Sequence, residues 1–259
     1  EARTLTLWPY LPASVPRRAE RVLLLTLDSF GYREWGHATR LRQLHGEYGT
    51  WITSVFPTIT SCALSSLYQS LAPIRHGLPG HKIWKACPGA VVDVLSMTVE
   101  GARHALPEAG FNTQVWKRQP GILDTLPTHV GRGFHLMPRG IVNSGLSTYS
   151  YGALPRVGFG EPIEGFVKAA AMLRDMPRGF VSLYLPVIDT LTHNLGGESR
   201  GVGLAVRHVE ELLGHLIGEL PPHILAETVL MVVADHGQSR LQRRRTLYGE
   251  PLEWLQAHT

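Results

Sequence analysis

Cysteine is nearly absent from this chain. Cys62 and Cys87 are its only two, and they match neither a metal-knuckle spacing nor a disulfide framework. A reducing, cytoplasmic compartment is therefore the expectation. Long apolar runs are missing as well. "VLLLTL" and "TVLMVV" are strand-length and fall well short of the roughly 20 residues that cross a bilayer. The opening "EARTLTLWPY" shows no secretory signal pattern. Excess charge is small, a formal +4. The arginines are scattered apart from Arg243-Arg244-Arg245, which reads as a solvated turn, so no nucleic-acid groove is signalled. No repeat or linker divides the chain. What remains is one globular domain over residues 1–259 that acts on a small partner rather than on a membrane or a nucleic acid.

The apolar residues are arranged in two alternating ways. "RVLLLTLD", "GFVSLYLPVID" and "ETVLMVVADHG" are continuous apolar runs that each end in an acid, the pattern of a strand buried on both faces. "TWITSVF" reads as a further strand. "NTQVW" reads as another, fed by a helix over "ARHALPEAGF". Cys62, Ala63, Leu67 and Leu71 recur at helical spacing. "PIEGFVKAAAMLRDM" and "GVGLAVRHVEELLGHLIGEL" are helical too, the first opened by Pro162 and the second stopped by Pro221-Pro222. "AVVDVLSMTV" fits strand or helix equally. Lys117 to Gly160 is rich in Gly, Pro, Ser and Thr and reads as a loop-rich insertion. Strands alternating with helices predict an α/β fold with a mostly parallel central sheet and helices on both faces.

In such sheets the ligand site gathers at the carboxyl ends of the strands. Asp28, Asp189 and Asp235 would meet there. Three crowded carboxylates repel and raise one another's pKa, and cations relieve that repulsion. His193 follows Asp189 by four residues, one helical turn, and His236 adjoins Asp235, with Gly237 expected to let the backbone turn. Mixed Asp and His ligation suits Zn²⁺, with Mn²⁺ or Fe as alternatives. Thr58 and Thr60 stand at the mouth of the helix that begins near Ser61. A hydroxyl there lies beside backbone N–H groups that can hold phosphate oxygens.

"LLTLDSFG", "FPTITSCALSSLYQSLAPIRHGLPGH", "YLPVIDTLTHNLGG" and "VVADHG", in that order, resemble the motifs of the alkaline phosphatase superfamily. Within it they are most similar to the type I phosphodiesterase/nucleotide pyrophosphatase family. "SGLSTYSYGAL" is similar to bacterial members of the superfamily. The resemblance implies an alkaline phosphatase-like fold and two divalent metal ions. Asp28, Asp235 and His236 would hold one ion together with the nucleophile, and Asp189 and His193 would hold the other. The family's nucleophile falls on Thr60, leaving Thr58 structural, and the substrate would be a small phosphate ester or a nucleotide-like molecule.

Departures from the pattern are also expectations to be met. Where nucleotide pyrophosphatases carry an asparagine three residues after the nucleophile, this chain has Ala63, so phosphate binding would lean on metals, backbone N–H groups and Ser61. The family's third ligand for the second metal lies downstream of its D-H-G block. Here only His258 follows Gly237 as a histidine. A chain cut short at its C-terminus, or a degenerate, non-catalytic binding or scaffold protein, is therefore the competing expectation. His76 and His81 read as structural. Trp84, Tyr149 and Tyr151 read as packing residues before base-stacking ones. A sulfatase is disfavoured, because its Cys-x-Pro-x-Arg sequence is absent. A phosphonate hydrolase or a phosphomutase fits the same motifs.

Overall fold

The computed structural model describes residues 18–125 and 132–239. Arg243-Arg244-Arg245, His258 and the first ten residues lie outside them.

Among the described residues five strands form the main sheet, all paired in parallel. They are β1 (Arg21–Leu27), β5 (Arg132–Pro138), β6 (Arg156–Phe159), β7 (Gly179–Leu185) and β8 (Thr228–Ala234), in the spatial order β6-β5-β7-β1-β8. Three short strands, β2 (Lys82–Lys85), β3 (Ala90–Asp93) and β4 (Thr98–Val99), make a separate antiparallel sheet. The helices, in chain order, are α1 (Arg40–Tyr48), α2 (Thr60–Gln69), α3 (Pro73–His76), α4 (Ile122–Thr125), α5 (Gly145–Ser150), α6 (Pro162–Asp175), α7 (Val187–Leu195), α8 (Arg200–Glu219) and α9 (Pro222–Ala226).

Both faces of the main sheet carry packed side chains, and β1 and β7 are buried on both, as their continuous apolar runs require; β8, at the end of the described strand order, is half-buried throughout instead of buried on both faces. Leu23, Leu25 and Leu27 of β1, with Val181, Leu183 and Leu185 of β7, pack into one layer. That layer meets Phe166, Ala169, Ala170 and Leu173 of α6 and Val202, Val206, Val209, Leu213 and Leu216 of α8, both sets recurring every three or four residues. On the other face Leu24, Met137 and Tyr184 meet Leu64 and Tyr68 of α2, Leu123 of α4, Tyr151 and Leu154. Ser199 caps α8, its side chain accepting from the Val202 N–H, and Pro162 opens α6.

One register positions the site. Leu27 of β1 lies opposite Leu185 of β7 and Ala234 of β8. The three strands therefore stop at one level, and the residues after them emerge side by side.

Four expectations need correction. Thr50–Phe56 is not a strand. β-Branched and aromatic residues favour a strand only where a partner is free, and both edges of β1 are already taken by β7 and β8. The segment instead runs beside the β8 exit, with the Ser54 hydroxyl donating to the Asp235 carbonyl at 2.6 Å and Trp51 against Trp35 and His45. Residues 102–110 form turns around Pro107, and Thr113–Trp116 is a 3-10 turn. There the Asn112 side chain accepts from the Gln114 N–H at 3.0 Å, a local bond that competes with strand pairing. Lys117 to Gly160 is not a loop-rich insertion, since its described part carries β5 and β6 of the central sheet together with α4 and α5. Finally, β7 ends at Leu185, and Asp189 lies in the first turn of α7 rather than at a strand end. The ambiguous stretch Ala90–Val99 resolves into β3 and β4, whose Val92 joins Leu78, Met97 and Tyr149 in a small core of their own.

The loops leaving β1 and β8 touch backbone to backbone. A Cβ built on Gly31 would overlap the Gly237 Cα, and one built on Gly237 would lie 2.9 Å from the Gly31 Cα. Gly237 is thus required by close approach; its φ is not among the positive ones. Replacing Gly31 by Ala is expected to force the two loops apart and to destabilise the protein by about 1–3 kcal/mol, as overpacking does. Urea unfolding checks this, and an unchanged midpoint would show that the contact is slack.

Candidate active site

β1 delivers Asp28 and β8 delivers Asp235 at adjacent positions of the sheet edge, and both are buried. Each carboxylate is held from behind. The Asp28 N–H donates to the Leu185 carbonyl at 3.1 Å, and Tyr184 on β7 donates its hydroxyl to Asp28 Oδ2 in a very short hydrogen bond. Asp235 Oδ1 accepts from the Ser29 N–H at 3.2 Å and from the His236 N–H at 2.8 Å. The remaining oxygens, Asp28 Oδ1 and Asp235 Oδ2, are buried and have no hydrogen-bond partner.

Both bare oxygens face one atom. His236 Nε2 lies 3.5 Å from Asp28 Oδ1, 3.5 Å from Asp235 Oδ2 and 3.0 Å from the Thr60 hydroxyl. At its other end the His236 ring meets the Gly237 carbonyl, 3.1 Å from Nδ1. A carbonyl only accepts, so Nδ1 presents a hydrogen to it, and Nε2 is the ring nitrogen that faces the two carboxylates and Thr60. Thr60 is the first residue of α2, after an extended Ile59. Among the described residues the N–H groups of Thr60 and Ser61 donate to no protein acceptor, whereas those of Cys62 and Ala63 bond to the Ile59 carbonyl.

Asp189 reaches the same place from α7. One ligand atom each of Asp28, Asp189 and His236 lies within 4.8 Å of the others. His193 is one turn along α7, its Nε2 3.4 Å from Asp189 Oδ1, with a side chain 71% exposed. The structure therefore draws Asp28, Thr60, Asp235, His236 and Asp189 together, and His193 stands at the rim.

Other expected residues fall around this centre. The Ser61 side chain is wholly buried and donates to the Gly80 carbonyl at 2.9 Å, so only its backbone N–H is open to a ligand. Thr58 is exposed and its side chain makes no hydrogen bond among the described residues. His76 is structural: its Nε2 pairs with the Ser66 hydroxyl at 3.0 Å, its Nδ1 accepts from the Leu78 N–H, and burial lowers its pKa to about 4. His81 is half-buried with an unpartnered Nδ1 and is close enough to the centre for His236 and Asp189 to act on its charge. Tyr149 and Tyr151 are core residues, whereas Trp84 is exposed.

The chain also uses residues that its motifs did not single out. Ser29 adopts a left-handed φ of 65°, a conformation that a side chain resists and that concentrates at functional sites. That turn aims its N–H at Asp235 and its hydroxyl at His236 Nδ1, 3.4 Å away. Gln238 donates to Asp189 Oδ1 at 2.8 Å, linking the β8 exit to α7. Tyr184 sits inside an apolar run. Ser29 and Gln238 shared a signal of adjacency, each being a polar residue within a few positions of a strand-end acid, whereas nothing local set Tyr184 apart within its run.

The electrostatics are those of a site lacking positive charge. Burial first, and then the neighbouring Asp235 carboxylate, push Asp28 up to about 8, against the pull of the Tyr184 hydrogen bond. Burial likewise raises Asp235 to about 6. Bare buried oxygens and raised carboxyl pKa values are the condition a bound cation relieves, and the O- and N-donor set of Asp28, Asp235, His236 and Thr60 fits a divalent transition metal.

Together the parallel sheet and the acid-histidine cluster at its carboxyl edge define an α/β protein whose buried carboxylates meet a helix N-terminus. The chain belongs to the type I phosphodiesterase/nucleotide pyrophosphatase family, whose model matches residues 22–255. No curated protein matches it in sequence. Its fold is similar to that of an inactive threonine-to-alanine variant of murine ectonucleotide pyrophosphatase/phosphodiesterase 5 in complex with AMP. The TM-score is 0.60 at 17% identity, over 85% of this chain and 57% of that one. The human counterpart gives a TM-score of 0.58 at 19% identity, over 83% and 56% of the two chains. Phosphonoacetate hydrolase from Sinorhizobium meliloti 1021, in complex with phosphonoformate, gives 0.53 at 14% identity, over 86% and 57%. The chain thus spans a little over half the length of these solved relatives.

The raised carboxyls set a pH dependence. In the metal-free protein folded Asp28 holds its proton up to about 8, while its ordinary value is 3.8. Between those values the folded state binds more protons than the unfolded one, so stability falls as pH rises through this window. Calorimetry of chelator-treated protein is expected to show Tm declining from about pH 5 to about pH 9, with a shallower decline in Asp28→Asn. A Tm that climbs across that window would contradict the burial of an ionising Asp28.

Proposed function

We propose that this chain is a metal-dependent hydrolase of phosphate mono- or diesters that works through a covalent phosphothreonine at Thr60. The observation that carries this reading is the convergence of Thr60 Oγ1 and two unpartnered, buried carboxylate oxygens on His236 Nε2. Asp28, Asp235 and His236 would hold one divalent ion with Thr60, and Asp189 and His193 a second, with Zn²⁺ favoured over Mn²⁺ or Fe by the donor types. When bound, the ions supply positive charge that makes the Thr60 hydroxyl acidic and offsets the charge of the phosphoryl oxygens.

The remaining work falls to the chain. The start of α2 presents the Thr60 hydroxyl together with the open N–H groups of Thr60 and Ser61, which receive phosphoryl oxygens. Thr60 Oγ1 bonds to phosphorus as the bond to the departing oxygen breaks, and the hydroxyl proton is balanced on the released alcohol. Water then opens the Thr60–phosphorus bond, restoring the hydroxyl and releasing the phosphate. Ser29 and Gly237 keep His236 turned toward Thr60 throughout.

The relatives support this reading without carrying it. The murine protein in its inactive form lacks a threonine and binds AMP, which favours a nucleotide-like ester here. The phosphonoacetate hydrolase favours a second reading, hydrolysis of a phosphonate at the same centre.

Thr60→Ala is expected to lower hydrolysis of bis-p-nitrophenyl phosphate or p-nitrophenyl phosphate by about 10³-fold or more while metal uptake persists. Elemental analysis and a panel of monoester, diester and phosphonate substrates check it. Wild-type rates in the variant would sink the nucleophile assignment. A chain that takes up no metal at all would instead be the scaffold that its exposed His193 leaves open.

A further inference from the structure

Tyr184 has features that core packing does not require. It lies on β7 opposite Thr26 of β1, in the layer that Leu24, Met137, Leu64 and Leu154 make apolar. Its ring is buried, and its hydroxyl makes one hydrogen bond among the described residues, to Asp28 Oδ2. One step away Tyr68 is equally buried, yet its hydroxyl is satisfied by Thr26 at 2.8 Å and Ser182 at 3.0 Å, neither of which belongs to the centre. The same layer therefore contains a phenol that serves the core and a phenol that serves the site.

The Tyr184 bond decides how Asp28 can be used. With the Asp28 N–H tied to the Leu185 carbonyl and Oδ2 tied to Tyr184, both anchors come from β7 and the carboxylate cannot rotate. Oδ1 is then the single oxygen left bare, and it faces His236 Nε2 at 3.5 Å. Without the phenol, Asp28 could swing Oδ2 toward Asp235 or present both oxygens, and the geometry offered to an ion would blur. Outer partners that orient a ligand commonly govern metal affinity in this way.

We infer that Tyr184 is a positioning residue that fixes Asp28 as a one-oxygen metal ligand and thereby sets the affinity of the centre for a divalent transition metal. This rests on the metal-centre reading given above. It assigns Tyr184 no contact with substrate.

Calorimetric titration with Zn²⁺ alone tests it on the full chain, comparing wild type, Tyr184→Phe and Tyr68→Phe. Tyr184→Phe is expected to weaken zinc binding by about 10–100-fold, and Tyr68→Phe to leave it unchanged although it removes an equally buried hydroxyl. Equal affinities for Tyr184→Phe and wild type would overturn the inference while leaving the metal centre standing. Equal losses in both variants would also overturn it, since that would mark a general effect of core hydroxyls. A wild-type chain that takes up no zinc would remove the metal reading and the inference together. A measurement on wild type guards against a variant that fails to fold. Zinc addition should perturb the tyrosine ultraviolet spectrum with the same midpoint as uptake, because the Tyr184 hydroxyl is bonded to a ligand. A flat difference spectrum during full uptake would count against the inference.

Discussion

The level at which three parallel strands stop governs this molecule. Because Leu27, Leu185 and Ala234 share one register, the chain leaves the sheet at three neighbouring points of one edge. Two of those exits place a carboxylate directly beyond the last strand residue, and the third starts α7 with Asp189 in its first turn. A slip of β8 by one residue would turn Asp235 to the other face of the sheet. In the observed register Leu230, Val232 and Ala234 pack into one layer and Met231 and Val233 into the other, so one register serves both the core and the site.

Such an edge is costly to fold in the absence of a cation. Two buried acids beside one another repel, and burial lifts both pKa values. The surrounding structure answers with fixed donors: Tyr184 on Asp28, and the Ser29 and His236 N–H groups on Asp235. It also accepts a left-handed Ser29 and a backbone contact that only glycines at 31 and 237 allow. These features narrow the site to two bare oxygens, one imidazole nitrogen and one hydroxyl. Strain and like charge held in place by a rigid scaffold concentrate at functional sites and are marks of preorganisation.

The parts legible in the sequence were those with strong periodicity. The apolar runs at Arg21, Gly179 and Thr228, the helices α2, α6 and α8, and the acids at two strand ends all follow from patterns within a dozen residues. Less was legible where a partner decides the outcome. Thr50–Phe56 has strand propensity but no free edge to join. β5 and β6 have such weak local patterns that Lys117 to Gly160 resembled loop, yet pairing to β7 recruits them. Asp189 looked like a strand-end acid because Pro186, which stops the strand, lies inside the apolar run. Ser61 illustrates a subtler limit. Its place beside Thr60 suggested a ligand contact, and only the approach of Gly80 reveals that its hydroxyl is already used.

By itself the sequence determined the class of fold and the list of reactive side chains, because buried parallel strands need continuous apolar runs and a D-H-G exit needs an acid, an imidazole and room for close approach. Only the tertiary structure decided which atoms of that list face one another. Asp28 Oδ1 and Asp235 Oδ2 are bare because Tyr184 and Ser29 hold their sister oxygens, and His236 offers Nε2 because the Gly237 carbonyl occupies Nδ1. Those choices depend on contacts between residues as much as 207 positions apart. A linear pattern does not record them, since each is set by strand register and side-chain rotamer after the sheet has formed.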